Sequence, residues 1–411
     1  MSPWKAAVLA IGTWLAIHLQ NDFGPADSLL PTSTIDRAME GHFSDSYYQA
    51  RALFRRRAQE GSAQLQILPM QHLAHLDLTV DVAVVAGAND RVLVHLSGTH
   101  GVEGFAGSAI QSRVLEKLAT QKQNHSTTRP TIVFIHAVNP FGFAMLRRFN
   151  EHNVDLNRNW LSEARFDELM AEDPNKYGYM DLYDFLNPTT EYTNWGNWFW
   201  TRAAFELATK GFRAIKKAAI VGNYQLPHTV YYGGTQMQPS LVAIRDFLSS
   251  TIDFAGIAKL GVIDVHTGLG RSGEDTLMIM PSTTKGVAER VFVQEYRAKN
   301  VAPMNDPTNS VVQGYEDVEG FVPQGISELI PSTDKCEVIS VAQEFGTVPG
   351  VFVLKATIQE NAFFNKAPSR RLPYAERLRD VFYTHSSASW KSSVLSRGLA
   401  VFEKLQTHLA V

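Results

Sequence analysis

The sequence predicts an α/β fold with a mixed, mostly parallel central sheet and helices on both faces. Continuous apolar runs, typical of strands buried on both faces, alternate along the chain with segments of helical hydrophobic spacing. The chain has 411 residues, of which 45% are hydrophobic and 19% charged, so it is long and apolar enough for a large core. Strands that alternate with helices are the pattern of a sheet covered on both sides.

The first predicted helix covers residues 43–61, FSDSYYQARALFRRRAQEG. Its apolar residues recur at helical spacing, and Ser44 or Asp45 provides the N-cap. Gly61 follows the last periodic residue and is expected to end the helix. The element therefore packs one apolar face against the sheet.

Buried strands are predicted where apolar runs are short and bounded by turn residues. These runs cover residues 78–86, 92–96, 131–138, 260–265 and 338–342. After the second run, a helix is predicted to begin near Gly107 and to reach about Lys122. His95 and His136 lie in or beside these runs, and we expect both to be hydrogen-bonded residues of the core.

Residues 1–42 are predicted to precede the folded part, and residues 43–411 to form a single domain. The apolar run over residues 6–17 is shorter than the about 20 residues that cross a membrane. Either it is a docking helix or frayed tail of a cytoplasmic protein, which we favour, or it is a signal or anchor of an exported or membrane-associated one. No other run approaches the length of a transmembrane span.

An aromatic-rich insertion is predicted at about residues 161–240, where YTNWGNWFW and NYQLPHTVYYGG occur. This stretch has no strong strand pattern, so we expect helices and loops. Its aromatic side chains either cover a pocket or form a satellite hydrophobic cluster, and the sequence does not decide between these interpretations.

Charge and cysteine content exclude several classes of function. Lys and Arg number 38 against 41 Asp and Glu, a net charge of −3, which supplies no basic surface for nucleic acid or an anionic membrane. The single cysteine, Cys336, excludes an intramolecular disulfide and a thiolate zinc site. A metal site would have to use carboxylates and the 13 histidines.

Ionisable residues follow three of the predicted strands. His100 and Glu103 follow residues 92–96, His266 follows residues 260–265, and Glu344 follows residues 338–342. Ligands of open α/β sheets bind beyond the carboxyl ends of the strands, so these side chains are expected to meet. Taken alone, each motif is more often structural than functional.

Two histidines and one carboxylate are the ligand set of an open catalytic zinc site. Zinc polarises a carbonyl and lowers the pKa of its bound water towards about 7. The H-x-x-E pair lies in a turn rich in glycine, which permits tight backbone geometry. Glu344 is then a candidate to take the proton of the attacking water.

A segment with three arginines, residues 139–160, follows the predicted strand 131–138. Arginine is always charged and binds carboxylates through two parallel hydrogen bonds. One arginine beside a metal is suited to stabilise a developing oxyanion. Another, with Asn157, is suited to hold a substrate carboxylate.

Four segments in this order, THGVEG, NPFGF…VDLNRNW, DVHTG and QEFGT, resemble the zinc carboxypeptidase superfamily, on its murein-peptide amidase and desuccinylase-like side. Within it the chain is most similar to the branch called domain of unknown function 2817. FSDSYYQAR and LPHTVYYGG add to the likeness, which covers about residues 43–365. The resemblance implies a carboxypeptidase-like, zinc-dependent exopeptidase fold.

The resemblance also implies a metal centre and its base. One zinc ion would be held by His100, Glu103 and His266. Glu344, which opens EFGT, matches the general base and acid of the superfamily. The positions of the motifs thus imply both a zinc cofactor and the catalytic base.

The substrate-binding residues are implied in the same way. Asn157 and Arg158 match the pair that binds a substrate carboxylate, and Arg148, nine residues before Asn157, matches the arginine that polarises the scissile carbonyl. Arg147 is the neighbouring alternative. Tyr315 is placed as the stacking tyrosine only by its position between motifs.

The expected function is a metallocarboxypeptidase-like protease, a zinc hydrolase of an amide bond next to a free carboxylate, with a peptide substrate. A metal-dependent deacylase of N-acyl amino acids is the first alternative, and a catalytically inactive peptide-binding relative is the second. A pocket closed by residues 190–235 would favour small substrates, and an open groove would favour peptides. The sequence leaves oligomeric state, substrate preference and the physiological metal open.

Overall fold

The computed structural model describes residues 37–120, 129–189, 195–293, 300–306, 308–331, 335–384 and 386–411. The predicted apolar segment, residues 6–17, and most of the predicted linker lie outside the described residues. So does the predicted end of the second helix near Lys122. In the part of the chain that is described, no helix is both long and apolar enough to cross a membrane.

Eight strands form one sheet in the described residues. They are β1 Gln64–Pro69, β2 Thr79–Val85, β3 Ala88–Ser97, β4 Pro130–His136, β5 Lys259–Ser272, β6 Asp275–Ile279, β7 Val301–Pro303 and β8 Glu337–Gly346. Their order across the sheet is β1-β2-β4-β3-β5-β8-β6-β7. The four central strands, β4, β3, β5 and β8, are mutually parallel. β1, β2 and β6 add antiparallel pairs, and β7 pairs parallel with β6. The predicted mixed, mostly parallel sheet is confirmed.

The helices cover both faces of the sheet. Gly261 of β5 meets Leu405 and Leu409 on one face. Its neighbour Val262 pairs in register with Ser340 of β8, whose hydroxyl donates to the carbonyl of Pro323 on the other face. Neighbouring residues of a strand point to opposite faces, so helices lie on both sides.

The α-helices cover this sheet and form part of the connections between its strands. They are Arg37–Glu40, Tyr47–Glu60, Gly104–Thr120, Pro140–Ala144, Glu163–Ala171, Tyr183–Leu186, Trp195–Lys210, Phe212–Val221, Pro239–Thr251, Val287–Phe292, Val322–Ser327, Gly350–Lys366, Leu372–Phe382 and Ala388–Leu409. The described residues of the stretch 161–240 form helices joined by loops.

The predicted boundaries differ from the structure in detail. The first predicted helix begins at Tyr47, and its N-cap is Ser46, which accepts from the Gln49 amide, rather than Ser44 or Asp45. Gly61 ends it, as expected. Strands β1, β6 and β7 were not predicted: β1 is a largely exposed edge strand and β7 has only three residues, whereas β6 has five buried residues and was missed.

His95 and His136 are fully buried, as expected, but each is only partly hydrogen-bonded. Nδ1 of His95 contacts the Gln111 amide nitrogen and Nε2 of His136 contacts the Ser108 hydroxyl. The other ring nitrogen of each has no hydrogen-bond partner among the described residues. Burial lowers the pKa of both imidazoles to about 4.

We expect these histidines to destabilise the protein in acid. An unfolded imidazole binds a proton below about pH 6.5, whereas the buried ones do so only near pH 4, so acid favours unfolding. Each should cost on the order of 3 kcal/mol of unfolding free energy as the pH falls to about 4. Urea unfolding at pH 7 and pH 4.5 should therefore differ less for His136→Phe than for the wild type. His75→Phe, which replaces an exposed histidine, is the control. If the unfolding free energy of His136→Phe changed with pH as much as that of the wild type, this account would be contradicted.

Candidate active site

Three predicted ligands meet beside the carboxyl end of β3 and the middle of β5. Nδ1 of His100 lies 3.0 Å from Oε1 of Glu103, and Nδ1 of His266 lies 3.2 Å from Oε2 of the same carboxylate. The two Nδ1 atoms are 3.1 Å apart. All three side chains are buried, and one donor atom from each lies within 4.8 Å of the others. The three residues that the sequence predicts as metal ligands therefore lie together in the structure.

His266 belongs to β5 itself, because this strand continues to Ser272 instead of ending at residue 265. In the parallel pair β5–β8, His266 lies in register with Glu344. The expectation that both residues follow their strands is wrong. Because the two residues are neighbours on adjacent strands, Glu344, a potential base, nevertheless lies beside the ligand cluster.

The turn Gly101–Glu103 owes its shape to close backbone packing. Gly98 has a φ of 69°, a conformation that glycine adopts without strain. A Cβ atom on Gly101 would lie 2.1 Å from the backbone of Gly142. The Val102 amide donates to the carbonyl of Arg147, 2.8 Å away. The turn is thereby held against the arginine-bearing segment.

A carboxylate holds the outer nitrogen of each histidine. Nε2 of His100 lies 3.1 Å from Asp155, and Nε2 of His266 lies 2.9 Å from Asp264. Asp264 favours a proton on Nε2 of His266, which leaves the Nδ1 lone pair of that ring free to face a metal. Nε2 of His100 also lies 2.8 Å from Nη2 of Arg148, a group that can only donate. The hydroxyl of Thr99 donates to Asp264 at 2.9 Å.

Sequence reasoning missed both of these carboxylates. Asp264 lies two residues before His266 on one strand, so the two side chains share a face of the sheet. Asp155 is the second residue of the VDLNRNW segment. The two-residue spacing was a usable signal for Asp264, whereas the contact between Asp155 and His100 depends on tertiary packing.

The electrostatics of the cluster depend on these contacts. Burial favours the neutral form of Glu103, but the adjacent His100 and His266 outweigh it and hold the pKa of this carboxyl far below its usual range. Burial likewise opposes protonation of His266, yet Asp264 and Glu103 raise the pKa of this imidazole. A metal that binds here must therefore displace a proton.

Glu344 lies beside the ligands without joining them. One carboxylate oxygen accepts a hydrogen bond from the Leu269 amide at 2.9 Å. Burial, reinforced by the nearby charge of Glu103, raises the pKa of Glu344 to about 8. A buried carboxyl with a pKa close to neutrality is suited to accept and release protons.

The two neighbouring arginines have different surroundings. Arg148 donates to Glu103 and to Asp155, both at 3.1 Å, and so faces the ligand cluster. Arg147 is fully buried and pairs with Glu360 at 3.0 Å. The choice of Arg148 over Arg147 as the arginine near the site agrees with this arrangement.

Asn157 and Arg158 lie together in the turn Leu156–Arg158. The Asn157 side-chain oxygen accepts from the Val322 amide at 3.1 Å. The Arg158 guanidinium donates to the Ile220 carbonyl through Nε at 3.0 Å and through Nη2, and it pairs with Asp155. Its orientation is therefore fixed by the protein.

The family model described as "Protein of unknown function (DUF2817)" matches residues 43–397. The chain belongs to this family. The membership inferred from the four motifs is thus confirmed. No curated protein matches the sequence significantly.

Several solved structures resemble this DUF2817 chain at low identity. A carboxypeptidase A from Helicoverpa armigera is 12% identical over 90% of this chain and 81% of its own, with a TM-score of 0.42. A metallo-carboxypeptidase from Burkholderia cenocepacia is 12% identical over 89% of this chain and 71% of its own, with a TM-score of 0.43. A murein-tripeptide amidase from Escherichia coli O157 is 14% identical over 81% of this chain and 97% of its own, with a TM-score of 0.37.

Two recesses of the DUF2817 chain meet at the ligand cluster. The larger, called here the apolar chamber, has a volume of about 180 Å³, and the smaller, called here the small recess, about 20 Å³. His100, Arg148, Arg158, Tyr315 and Glu344 line both. Asn157 lines only the small recess. Tyr315 thus lies between the two recesses, within reach of a molecule in either.

The aromatic insertion both lines a pocket and forms a satellite hydrophobic cluster, the two interpretations that the sequence left open. Phe185, Phe199 and Ile215 belong to a hydrophobic cluster separate from the main core. The same three side chains line the apolar chamber, together with Trp200 from the helix Trp195–Lys210. The insertion therefore builds a packed cluster whose inner surface is a wall of the site. Residues 190–194 of the expected closing loop lie outside the described residues.

Proposed function

We propose that this protein is a metal-dependent hydrolase that cleaves an amide bond next to a free carboxylate. The observation that carries the proposal is the convergence of two Nδ1 atoms and one carboxylate at a buried point beside Glu344. Each outer histidine nitrogen has its own carboxylate partner. This arrangement is the typical support of a metal-binding histidine.

The donor set fits zinc. Two imidazole nitrogens and one carboxylate oxygen are a common ligand set of catalytic zinc sites that keep an open position. We propose that His100, Glu103 and His266 hold one Zn²⁺ ion. When bound, the ion supplies Lewis acidity for a carbonyl and acidifies a water molecule.

Glu344 would move the protons of the reaction. Its carboxylate accepts the proton of the attacking water and then passes it to the departing amine. Burial and the neighbouring Glu103 make this carboxyl a stronger base than an exposed one. The hydrogen bond from the Leu269 amide holds its oxygen in place.

Arg148 would stabilise the negative charge that develops on the carbonyl oxygen. Its guanidinium is fixed by Glu103 and Asp155, so it pays little to reorganise during the reaction. Asn157 and Arg158 would bind the free carboxylate of the substrate in the small recess, with Tyr315 closing over it. That clamp is what directs cleavage to the bond beside a free carboxylate.

Hydrolysis assays on metal-loaded and metal-depleted protein test this proposal. A panel of dipeptides and N-acyl amino acids, matched with the same compounds amidated at the carboxyl end, is incubated with each preparation. We expect cleavage only of free carboxylates, its loss after chelation and its recovery with zinc. Hydrolysis that survives complete metal removal would contradict the proposal. Binding of peptides without cleavage by the zinc-loaded protein would favour the inactive relative.

Asp264→Asn is expected to weaken metal binding by about 10–100-fold, because asparagine no longer fixes the proton of His266 on Nε2. The substitution preserves size, and the Thr99 hydroxyl still has a side-chain oxygen to which it donates. Competition with a fluorescent zinc chelator measures the affinity. Asp275→Asn is the matched control, because Asp275 is an equally buried sheet aspartate that pairs with Arg397. Unchanged affinity in Asp264→Asn would contradict the assigned role.

A further inference from the structure

The apolar chamber and the small recess differ sharply in size where they meet at Glu344. At about 10–15 Å³ per enclosed water, the small recess has room for one or two water-sized groups and the apolar chamber for about a dozen. A substrate held across Glu344 would therefore place a large group on one side of the scissile bond and a small one on the other.

The side chains that line the apolar chamber determine which kind of large group can bind there. Phe199, Trp200, Leu207 and Ile215 come from two consecutive helices of the insertion. Leu354 and other side chains of the helix Gly350–Lys366 line the chamber as well. Aliphatic and aromatic side chains of this kind favour a hydrocarbon group over a polar peptide, because each buried methylene gains free energy and needs no hydrogen bond.

Lys216 is a cation in the wall of the apolar chamber, but its ammonium group has other partners. Nζ donates to the carbonyls of Ser310 at 2.7 Å and Val311 at 3.1 Å. Its positive charge is thus directed to backbone oxygens outside the insertion. The chamber consequently offers mainly hydrocarbon surface to a ligand.

The small recess limits the group on the other side of the bond. Besides the site residues, Asn157 and Arg158 among them, its lining includes the side chains of Met278, Met280 and Met304. With the carboxylate bound by Asn157 and Arg158, little room remains for a side chain. Glycine or alanine fits this space, whereas a bulky amino acid would displace the methionines.

We infer that the substrate is an N-acyl glycine or N-acyl alanine with a long apolar acyl chain. The inference rests on the proposed function and names its substrate class. The oxygen of water bonds to the acyl carbon, the carbon–nitrogen bond breaks, and one proton of the water passes to the amine. The products are a fatty carboxylate and the free amino acid, so no oxidant or other co-reactant is needed.

The test is a series of N-acyl glycines from acetyl to dodecanoyl, assayed with zinc-loaded protein. Each methylene buried in the apolar chamber should raise kcat/KM by about fourfold, until the chamber is full. N-dodecanoylglycine should also be cleaved faster than N-dodecanoyltryptophan. A flat series, or a preference for acetyl, would overturn the inference while hydrolysis itself still supported the proposed function. No hydrolysis of any member, while a dipeptide with a free carboxylate is still cleaved, would likewise overturn the inference. Cleavage of neither class would contradict the proposed function.

A variant with its matched control separates chamber binding from catalysis. Ala203 lines the apolar chamber on the helix Trp195–Lys210, whereas Ala208 is exposed on the same helix. Ala203→Trp should weaken binding of N-dodecanoylglycine at least tenfold, and Ala208→Trp should leave it unchanged. Calorimetry on metal-depleted protein measures this binding without turnover. Equal binding by the two variants would overturn the inference.

Discussion

Replacing Glu344 by glutamine is expected to lower kcat/KM by about 10²–10⁴-fold, the usual contribution of a positioned general base. Glutamine keeps the size of the side chain and can still accept the hydrogen bond from the Leu269 amide. It cannot take a proton from water. Because Glu344 is not among the three converging ligands, the zinc content should stay unchanged. Steady-state kinetics measures kcat/KM, and elemental analysis measures the zinc content.

Glu337→Gln is the matched control for this experiment. Glu337 begins the same strand, β8, at the end remote from the site, and it pairs with His408. Its replacement should leave kcat/KM within about twofold of the wild type. If Glu344→Gln retained wild-type kcat/KM with its metal bound, the role assigned to Glu344 would be wrong.

Removing His266 is expected to abolish both metal binding and hydrolysis. Alanine deletes one of three ligands, so the loss of affinity should exceed the about 10–100-fold that follows from changing an outer hydrogen-bond partner. It also removes one partner each from Asp264 and Glu103, which keep the Thr99 hydroxyl and Arg148 respectively, so we expect a smaller loss of stability as well. Zinc titration, hydrolysis assays and urea unfolding report these effects together.

The exposed histidine His72, which pairs with Glu151, supplies the control. His72→Ala should keep zinc binding and hydrolysis intact. Zinc-dependent hydrolysis by His266→Ala at the wild-type rate would exclude this residue as a ligand. A loss of folding alone is recognised by urea unfolding, and Asp264→Asn then tests the same ligand with a smaller perturbation.

The candidate ligands were predictable because their signal is local. Buried apolar runs identify central parallel strands, and such strands deliver their carboxyl ends to one edge of the sheet. That rule placed His100, Glu103, His266 and Glu344 together although 163 residues separate Glu103 from His266. The exact end of β5 was mispredicted, because the residues after His266 are rich in glycine and lack an apolar run.

Features that depend on packing between distant segments were not predictable from the sequence. Arg147 and Arg148 are neighbours with the same side chain, and only the contacts with Glu360 and Glu103 distinguish them. The apolar chamber is formed where the insertion meets the helix Gly350–Lys366, and no local pattern reveals an enclosed volume. The sequence therefore left open whether the aromatic residues cover a pocket or form a separate cluster.

The zinc content of the purified full-length chain tests the central claim most directly. Elemental analysis after incubation with zinc and removal of excess metal should find about one zinc ion per chain in the wild type. Because His100, Glu103 and His266 form one cluster, the triple replacement of these residues by alanine should hold none. A wild-type chain that retains no zinc, or a triple variant that retains as much as the wild type, would contradict the metal centre and the hydrolase built on it.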